Sequence, residues 1–283
     1  MSALAFALNV PCVGLVYQHG GNIHAVNLVR PLFFLLCLGI WIGLRDSSIL
    51  LPTRQRNSSY LLGLLICIEF YAVHSAIRYI PVGLSILLMY TYPIIVAIVV
   101  VSINRQRPAA RMIAAIFVAF AGLVLALGAP TDGLDWRGIA WSALASVGMC
   151  AIVTISERTT AEHDNAAVMF HSMIIASLAM IAIVLIGAPI TWPDDQTGLV
   201  ALFAATGLYV IATSLLFVAV DMIGPLRFAV IDNTSPIWAT LFGFILLAET
   251  LSWHQGLGAV LVIGGVITVQ LLHPPAQATS VIH

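Results

Sequence analysis

Apolar runs long enough to cross a membrane follow one another along almost the whole chain, separated only by brief polar breaks. We place helices at residues 2–17, 22–44, 58–79, 82–104, 108–128, 136–156, 165–187, 197–220, 225–248 and 254–272. Most runs reach about 20 residues, enough to cross roughly 30 Å of hydrocarbon. The first is short, and Asn9 and Pro11 interrupt it. The pattern predicts an all-α membrane protein with ten transmembrane helices.

The scarcity of charge supports this fold class and excludes several functions. Only 8% of the 283 residues are charged and 61% are hydrophobic, whereas a soluble domain carries roughly 25% charged residues. The net charge is −1, so we expect no nucleic-acid partner. All eleven basic residues are Arg, which excludes a P-loop lysine and a Schiff-base cofactor. The four cysteines match no metal-ligand spacing, and we expect neither a metal nor a cofactor.

The arginines predict how the chain is oriented in the membrane. With the N-terminus in the cytosol, the outer loops hold only Arg78 and Arg137. The cytosolic loops then hold Arg45, Arg54, Arg56, Arg105, Arg107, Arg111 and Arg158. Cytosolic loops carry the excess of basic residues in membrane proteins, and an even number of helices returns the C-terminus to the cytosol. We therefore expect an integral protein of a bacterial cytoplasmic membrane with both termini inside.

The two halves of the chain are related by an internal repeat. From helix three through helix five, a gap-free shift of 143 residues superimposes Ala76 on Ala219, Ile80 on Ile223, Pro93 on Pro236, Ile94 on Ile237 and Gly122 on Gly265. Because each half holds an odd number of helices, the repeats at 1–130 and 131–283 are inverted in the membrane. Secondary transporters commonly use inverted repeats with the substrate site between them. This predicts one transmembrane unit around a central cavity.

Two segments carry a resemblance to a known family. They are AIRYIPVGLSILLMYTYPII at 76–95 and SPIWATLFGFILLAETLSWHQGLGAVLVIGGVI at 235–267. With them, the chain resembles the EamA-type ten-helix exporters of the drug/metabolite transporter superfamily. The prolines of helices four and nine, Glu249 after helix nine and Arg30 in helix two are similar to the family pattern. The first repeat reads SINRQR at 102–107 where the family often has a second Glu.

The resemblance implies a basket of helices three, four, eight and nine around the cavity, and export of amino acids or related metabolites. Within the family, the aromatic amino-acid exporters are the most similar group. A membrane enzyme acting on a lipid or lipid-linked substrate, and a non-transporting scaffold, are the alternatives; the inverted repeat favours secondary export by alternating access. We expect a small-molecule substrate, a lipid bilayer as the other partner, and a monomer rather than a dimer. Uniport and proton antiport both stay open.

Aromatic and polar side chains beside the two prolines are candidates for lining the cavity. A proline removes a backbone hydrogen bond and bends a helix, and aromatic faces with a few hydroxyls suit a small, partly apolar substrate. The candidates are Tyr71, His74, Tyr90, Tyr92, Pro93, Ser235, Pro236 and Trp238. The alternative is that these residues only pack, since proline is common in membrane helices.

Ionisable residues inside predicted helices form a second set of candidates, because a charge at the bilayer centre costs at least about 2.5–3.5 kcal/mol. Arg30 and Glu69 lie at similar depths and are predicted to meet, either as a static ion pair or as a coupling or gating pair. His74 shares a helix face with Arg78 and is either a packing residue or a proton relay. We also predict that His171 pairs with Asp232, which would otherwise be buried without a partner.

Overall fold

The computed structural model describes residues 1–45, 49–92, 94–95, 98–99, 110–128, 135–160, 165–223, 235–248 and 252–272. Within these ranges the chain forms ten α-helices and no β-strand. They are α1 Ser2–Gln18, α2 Ile23–Arg45, α3 Thr53–Ala76, α4 Val82–Met89, α5 Ala110–Gly128, α6 Trp136–Thr160, α7 Asn165–Leu185, α8 Gln196–Ile223, α9 Ser235–Leu247 and α10 Trp253–Leu272. The predicted all-α architecture is confirmed.

Helix α1 is not interrupted as the sequence analysis predicted. It runs through Pro11 without a break, since a single proline removes only the hydrogen bond to the carbonyl four residues earlier. Asn9 is accommodated because its side-chain amide donates to the carbonyl of Ala205 on α8. Asn9, which suggested a weak helix, therefore forms a contact between two helices.

Helix four does break, but before the predicted bend at Pro93. Helix α4 ends at Met89, and Tyr90 and Thr91 form a turn in which the Thr91 amide bonds the Leu88 carbonyl at 3.2 Å. A proline at position 93 has no amide proton for the Met89 carbonyl, and it disfavours helical geometry in the residue before it. Pro93 itself lies outside the described residues.

The helices have the length and apolarity of membrane spans. Among the described residues, five apolar segments of 20–24 residues are long enough to cross a bilayer: Ile23–Leu44, Thr53–Ala76, Trp136–Ser156, Ala166–Leu185 and Gln196–Leu215. Shorter apolar helices cover Ser2–Gln18, Ile113–Gly122, Ile237–Leu247 and Trp253–Thr268.

The outer surface of the bundle is apolar, as contact with lipid requires. Leu36, Phe117 and Phe244 are each at least 59% exposed. Trp136 and Trp253, the first residues of α6 and α10, are 72% and 71% exposed. Tryptophan at helix ends is typical of the interface between membrane and water. The chain is an integral membrane protein.

The contacts between helices follow the internal repeat. A contact between two helices has a counterpart between the corresponding helices of the other half. Helix α1 packs on α8 as α3 packs on α6, and α1 contacts α9 as α6 contacts α4. Three further contacts join corresponding helices of the two halves: α2 with α7, α4 with α9, and α5 with α10. Most of these contacts join one half of the chain to the other, so the halves interlock.

Close packing of α5 on α10 depends on two glycines. A Cβ at Gly122 would lie 2.8 Å from the Gly258 carbonyl oxygen, and one at Gly265 would lie 2.8 Å from that of Ala115. Each glycine thus admits the backbone of the opposite helix. These glycines therefore pack helices five and ten of one chain against each other.

Candidate functional site

A buried arginine joins four helices near one end of the bundle. Arg30 on α2 is 3% exposed. One terminal nitrogen of its guanidinium group donates to the side-chain oxygen of Asn9 on α1. The other donates to Nε2 of His74 on α3 at 2.9 Å. Asn9 in turn donates to the Ala205 carbonyl of α8, so one charged side chain connects α1, α2, α3 and α8.

The hydrogen bonds around His74 assign the protonation of its ring. Arg30 has no acceptor atom, so Nε2 of His74 must accept. Nδ1 then carries the proton and donates to Oδ1 of Asn27 at 2.5 Å. His74 is 0% exposed, and its neutral tautomer satisfies both contacts. The arrangement also sets the orientation of the Asn27 amide, whose Nδ2 is enclosed without a partner.

Aromatic rings cover the remaining faces of the Arg30 guanidinium group. Its central carbon lies 4.3 Å from the ring centre of Tyr209 and 4.8 Å from that of Phe70. Those two rings meet edge to face at 5.1 Å, and Phe34 contacts Tyr209 at 5.7 Å. Desolvated contacts between a cation and an aromatic face are worth about 2 kcal/mol or more. We call Arg30, Asn9, Asn27, His74 and Tyr209 the arginine network.

Glu69 lies beside this network but is not part of it. The predicted ion pair with Arg30 is wrong, because no ion pair joins the two side chains in the part of the chain that the structure describes. The arginine is occupied by neutral acceptors on α1 and α3. Glu69 is 7% exposed, and its Cβ lies against Gly148 of α6. Among the described residues it has no hydrogen-bonding partner.

Three of the predicted cavity residues meet aromatic neighbours. Half-buried Tyr71 lies between the rings of His24 and Trp141, at 5.8 and 5.9 Å between ring centres. Tyr90 is 8% exposed and contacts the ring of half-buried Tyr92 at 6.2 Å. Tyr90 and Trp141 belong to one apolar cluster of α1, α3, α4, α6 and α9. The structure therefore gathers these aromatic residues where α3, α4 and α6 meet.

Three other predicted lining residues lie elsewhere. His74 is enclosed in the arginine network, because both of its ring nitrogens are occupied. Ser235 is 1% exposed and donates to the Ala3 carbonyl at 3.5 Å. Trp238 is 37% exposed and shares an exposed helix face with Leu241 and Ile245. Pro93 and the side chain of Pro236 lie outside the described residues.

His171 contacts the loop before α3. Its Nε2 donates to the Ile49 carbonyl at 2.9 Å, and its ring meets that of Tyr60 at 5.9 Å. These contacts place His171 at the end of the bundle that holds the Arg45–Asn57 break. Asp232, its predicted partner, lies outside the described residues, so that pairing stays a prediction.

Loops at the opposite end of the bundle are hydrogen-bonded to each other. The Asn22 amide donates to the Thr191 carbonyl at 3.1 Å, and the Asp194 amide donates to the His19 carbonyl at 2.9 Å. His19 Nδ1 also pairs with the Asp195 carboxylate at 2.8 Å. Gly20 adopts φ 84°, which favours glycine, where it lies against Asp194. We call this contact between residues 19–22 and 189–195 the loop clasp.

Asp195 also caps helix α8. Its Oδ1 accepts from the Gly198 amide at 2.8 Å, and its Oδ2 contacts His19. The Gly198 amide, with smaller contributions from His19, holds the pKa of the Asp195 carboxyl below its ordinary value. At the same end of the bundle, Arg78 is exposed and its guanidinium group lies 6.0 Å from the Tyr79 ring centre.

Sequence reasoning missed four residues of this region. The sequence presents Asn9 only as a helix interruption, and it does not single out Asn27, Tyr209 or Trp141. One signal was present: Asn27 precedes Arg30 by three residues and so shares its helix face. The Tyr209 contact carries no such signal, because it joins positions far apart in the chain.

Comparison with known proteins gives a family match for the second half of the chain. The EamA-like transporter family matches residues 136–271. The predicted resemblance to EamA-type exporters is thereby confirmed, and we call the chain the transporter.

Curated relatives are similar in sequence to the chain, and a solved structure shares its fold. The transporter is 27% identical over 207 residues to the threonine/homoserine exporter RhtA of Escherichia coli K12, a match that covers 71% of this chain and 68% of the relative. The same exporter from the strains O6:H1 and O157:H7 of that species matches equally. One solved crystal structure shares the fold with a TM-score of 0.65 at 18% identity, covering 96% of both chains.

Proposed function

We propose that this transporter exports small neutral amino acids or related metabolites by alternating access. The match to an amino-acid exporter over 71% of the chain is the observation that carries the proposal. The interlocked, exchange-related helix contacts support two inverted repeats, with residues 1–130 and 131–283 as the halves. Gly122 and Gly265 pack α5 against α10 within one chain. They are therefore not available for a contact between two copies, and we expect a monomer.

The substrate position that we propose lies beside the aromatic residues where α3, α4 and α6 meet. Tyr71, Tyr92 and Trp141 are half-buried there, so each has a ring face that is not fully enclosed. Aromatic faces with a few hydroxyl groups suit a small, partly apolar molecule. The hydroxyl pair of Thr91 and Ser146, 3.1 Å apart, adds polar groups on α4 and α6.

Two pairs of loops support the proposed outer face. The loop clasp joins the breaks after α1 and α7, while Gly138 at the start of α6 contacts Ile80 before α4. Alternating access requires the clasp to open when the outer side opens. We place these loops in the periplasm and both termini in the cytosol of a bacterium. Labelling of a single cysteine at exposed Asp194 by an impermeant thiol reagent in intact cells, with the four native cysteines replaced, tests this orientation, and labelling only after lysis contradicts it.

A transport panel in liposomes tests the function. The purified transporter is reconstituted and assayed with labelled L-threonine, L-homoserine, L-phenylalanine and L-tryptophan. The Trp141→Ala variant should raise KM for the transported amino acid about tenfold, because about 1.4 kcal/mol of contact is lost. Trp253→Ala is the matched control, since Trp253 is 71% exposed. Absence of transport for every substrate, or equal effects of the two variants, contradicts the proposal.

A further inference from the structure

Glu69 is a buried carboxyl group on α3. It lies seven residues before the end of the helix, 7% exposed, and makes neither a hydrogen bond nor an ion pair with the described part of the chain. Gly148 on α6 faces it, and a Cβ at that glycine would lie 3.4 Å from the Cβ of Glu69. Gly148 thus places no side chain between α6 and the Cβ, Cα and Cγ atoms of Glu69. An isolated charge in such a place is expensive, so the carboxylate needs a cation or a proton.

The ionisable groups around Glu69 do not supply that cation. From α2, Arg30 acts on Glu69 only through space, and its own hydrogen bonds go to Asn9 and His74. From α8, the side chain of Tyr209 interacts with Glu69 through space, and it carries no positive charge.

The remaining helices packed against α3 add no cation either. Helix α4 carries no ionisable side chain over Val82–Met89. On α7, the ionisable side chain among the described ones is His171, which bonds the Ile49 carbonyl. No described side chain of these helices therefore supplies a counter-ion to Glu69.

The repeat does not provide Glu69 with an equivalent in the second half. The shift of 143 residues that relates helices three to five of the two halves superimposes it on Ala212, which is 0% exposed. The two halves thus differ at this position, where only the first carries a carboxyl group. A packing role common to both halves does not account for a carboxyl that only one half contains.

We propose that Glu69 is the residue at which the ammonium group of the exported amino acid and a proton from outside compete, so that export is coupled to proton entry. This inference rests on the function proposed above. The ammonium group, the one cation of a neutral amino acid, would approach Glu69 from the side of Gly148, and Tyr71 lies two residues along the same helix.

The exchange is balanced in charge at Glu69. Facing the cytosol, the carboxyl group releases its proton to water and the carboxylate binds the ammonium group. Facing outward, a proton from the medium binds the carboxylate and the ammonium group leaves with the amino acid. One proton enters for each amino acid exported, and no covalent bond to the substrate forms.

Chemical labelling tests the binding step without requiring transport. A hydrophobic carbodiimide adds to protonated carboxyl groups in apolar surroundings, and peptide mass spectrometry locates the adduct on the purified full-length protein. We expect modification of Glu69 at mildly acidic pH, protection by L-threonine, and no protection by 3-hydroxybutyrate, which lacks the ammonium group. Failure to modify Glu69, or equal protection by both compounds, overturns the proposal even if the protein transports amino acids.

Flux measurements test the coupling. With the membrane potential clamped at zero, one proton per amino acid supports a gradient of about tenfold for each pH unit. The parent and Glu69→Asp should show this response, and Glu69→Gln should lose it because its amide cannot exchange a proton. Asp135→Asn is the matched control: it also removes one carboxylate, but at the exposed start of α6, where an amide oxygen can still accept from the Arg137 amide.

The outcomes separate this inference from the proposed function. Transport by the parent without any response to the pH gradient overturns the role of Glu69 and leaves amino-acid export in place. A full response in Glu69→Gln does the same. Absence of transport by the parent contradicts the proposed function instead, and the labelling pattern then decides on Glu69. Should Glu69→Gln fail to fold, Glu69→Asp and the labelling of the parent carry the test.

Discussion

Arg30 shows how a single charged residue is accommodated inside this bundle. Its guanidinium group donates to two neutral acceptors and lies between two aromatic rings. Every one of these partners comes from another helix, so the desolvated cation is satisfied only when α1, α3 and α8 are all in place. A buried charge that loses a partner is strongly destabilising. The arginine network therefore links the packing of four helices.

We predict that His74→Ala destabilises the transporter far more than Ser75→Ala. The first variant removes the acceptor of a hydrogen bond from a buried cation, a loss of about 1.5–3 kcal/mol, and leaves a cavity in addition. Ser75 is the adjacent residue of the same helix and is 5% exposed, so the control removes a buried polar side chain without touching Arg30. Thermal unfolding of both variants in detergent measures the difference. Equal melting temperatures would show that the network contributes nothing to stability.

At the scale of helices, the α5–α10 pair depends on residues that have no side chain. Gly122 and Gly265 occupy equivalent positions of the two repeats, and each contacts the opposite helix. In lipid the hydrophobic effect does not hold helices together, so close backbone approach supplies the attraction. Gly264, the neighbour of Gly265, has no atom within 4 Å of a Cβ placed on it.

The two adjacent glycines of α10 allow a controlled test of this packing. Gly265→Ala should destabilise the transporter by about 1–3 kcal/mol, because its Cβ would lie 2.7 Å from the Cβ of Ala119 and overpack the interface. Gly264→Ala should be neutral or stabilising by up to about 1 kcal/mol, since alanine is the better helix former. Denaturant titration in micelles compares them. If both variants behave alike, the close approach of α5 and α10 is not what stabilises this pair.

At the scale of the whole molecule, the two halves are held together by the bundle and by the loop clasp. Helices of one half pack mainly against helices of the other, so neither half encloses a core of its own. The clasp adds polar bonds between residues 19–22 of the first half and 189–195 of the second. The clasp therefore links the two halves at this end of the bundle.

We predict that the contribution of Asp195 to the clasp depends on pH. Its pKa is lower in the folded protein than the ordinary value of about 4. Its stabilising effect is therefore complete above that ordinary value and is lost as the pH falls through the lowered pKa. Asp195→Ala should lower the melting temperature at neutral pH, and the difference from the parent should shrink in acid.

Asp194→Ala is the control for this measurement, because it removes the adjacent exposed carboxylate and leaves the Gly198 and His19 contacts intact. Melting temperatures of the parent and both variants are compared over a pH series. A difference between parent and Asp195→Ala that stays constant down to strongly acidic pH contradicts the assignment, and so does an equal, equally pH-dependent effect of Asp194→Ala.

The sequence alone determined the elements and their environment. Long apolar runs in lipid form helices, because a helix satisfies the hydrogen bonds of its own backbone within a single segment. The break in helix four was predictable from Pro93, although it lies at Tyr90 and Thr91. The distribution of arginines and the gap-free repeat are likewise properties of residue type and position along the chain, so they need no knowledge of which helices touch.

Only the tertiary structure decided which polar side chains meet. Arg30 and Glu69 lie at similar depths, and a one-dimensional pattern suggests that opposite charges at equal depth pair. Rotation of each helix about its axis decides the outcome, and that rotation depends on the packing of all neighbouring helices at once. Here the helix rotations turn Arg30 toward Asn9, His74 and Tyr209 and leave Glu69 without a partner among the described residues. The sequence could not show this, because contacts between distant segments are not encoded in local spacing.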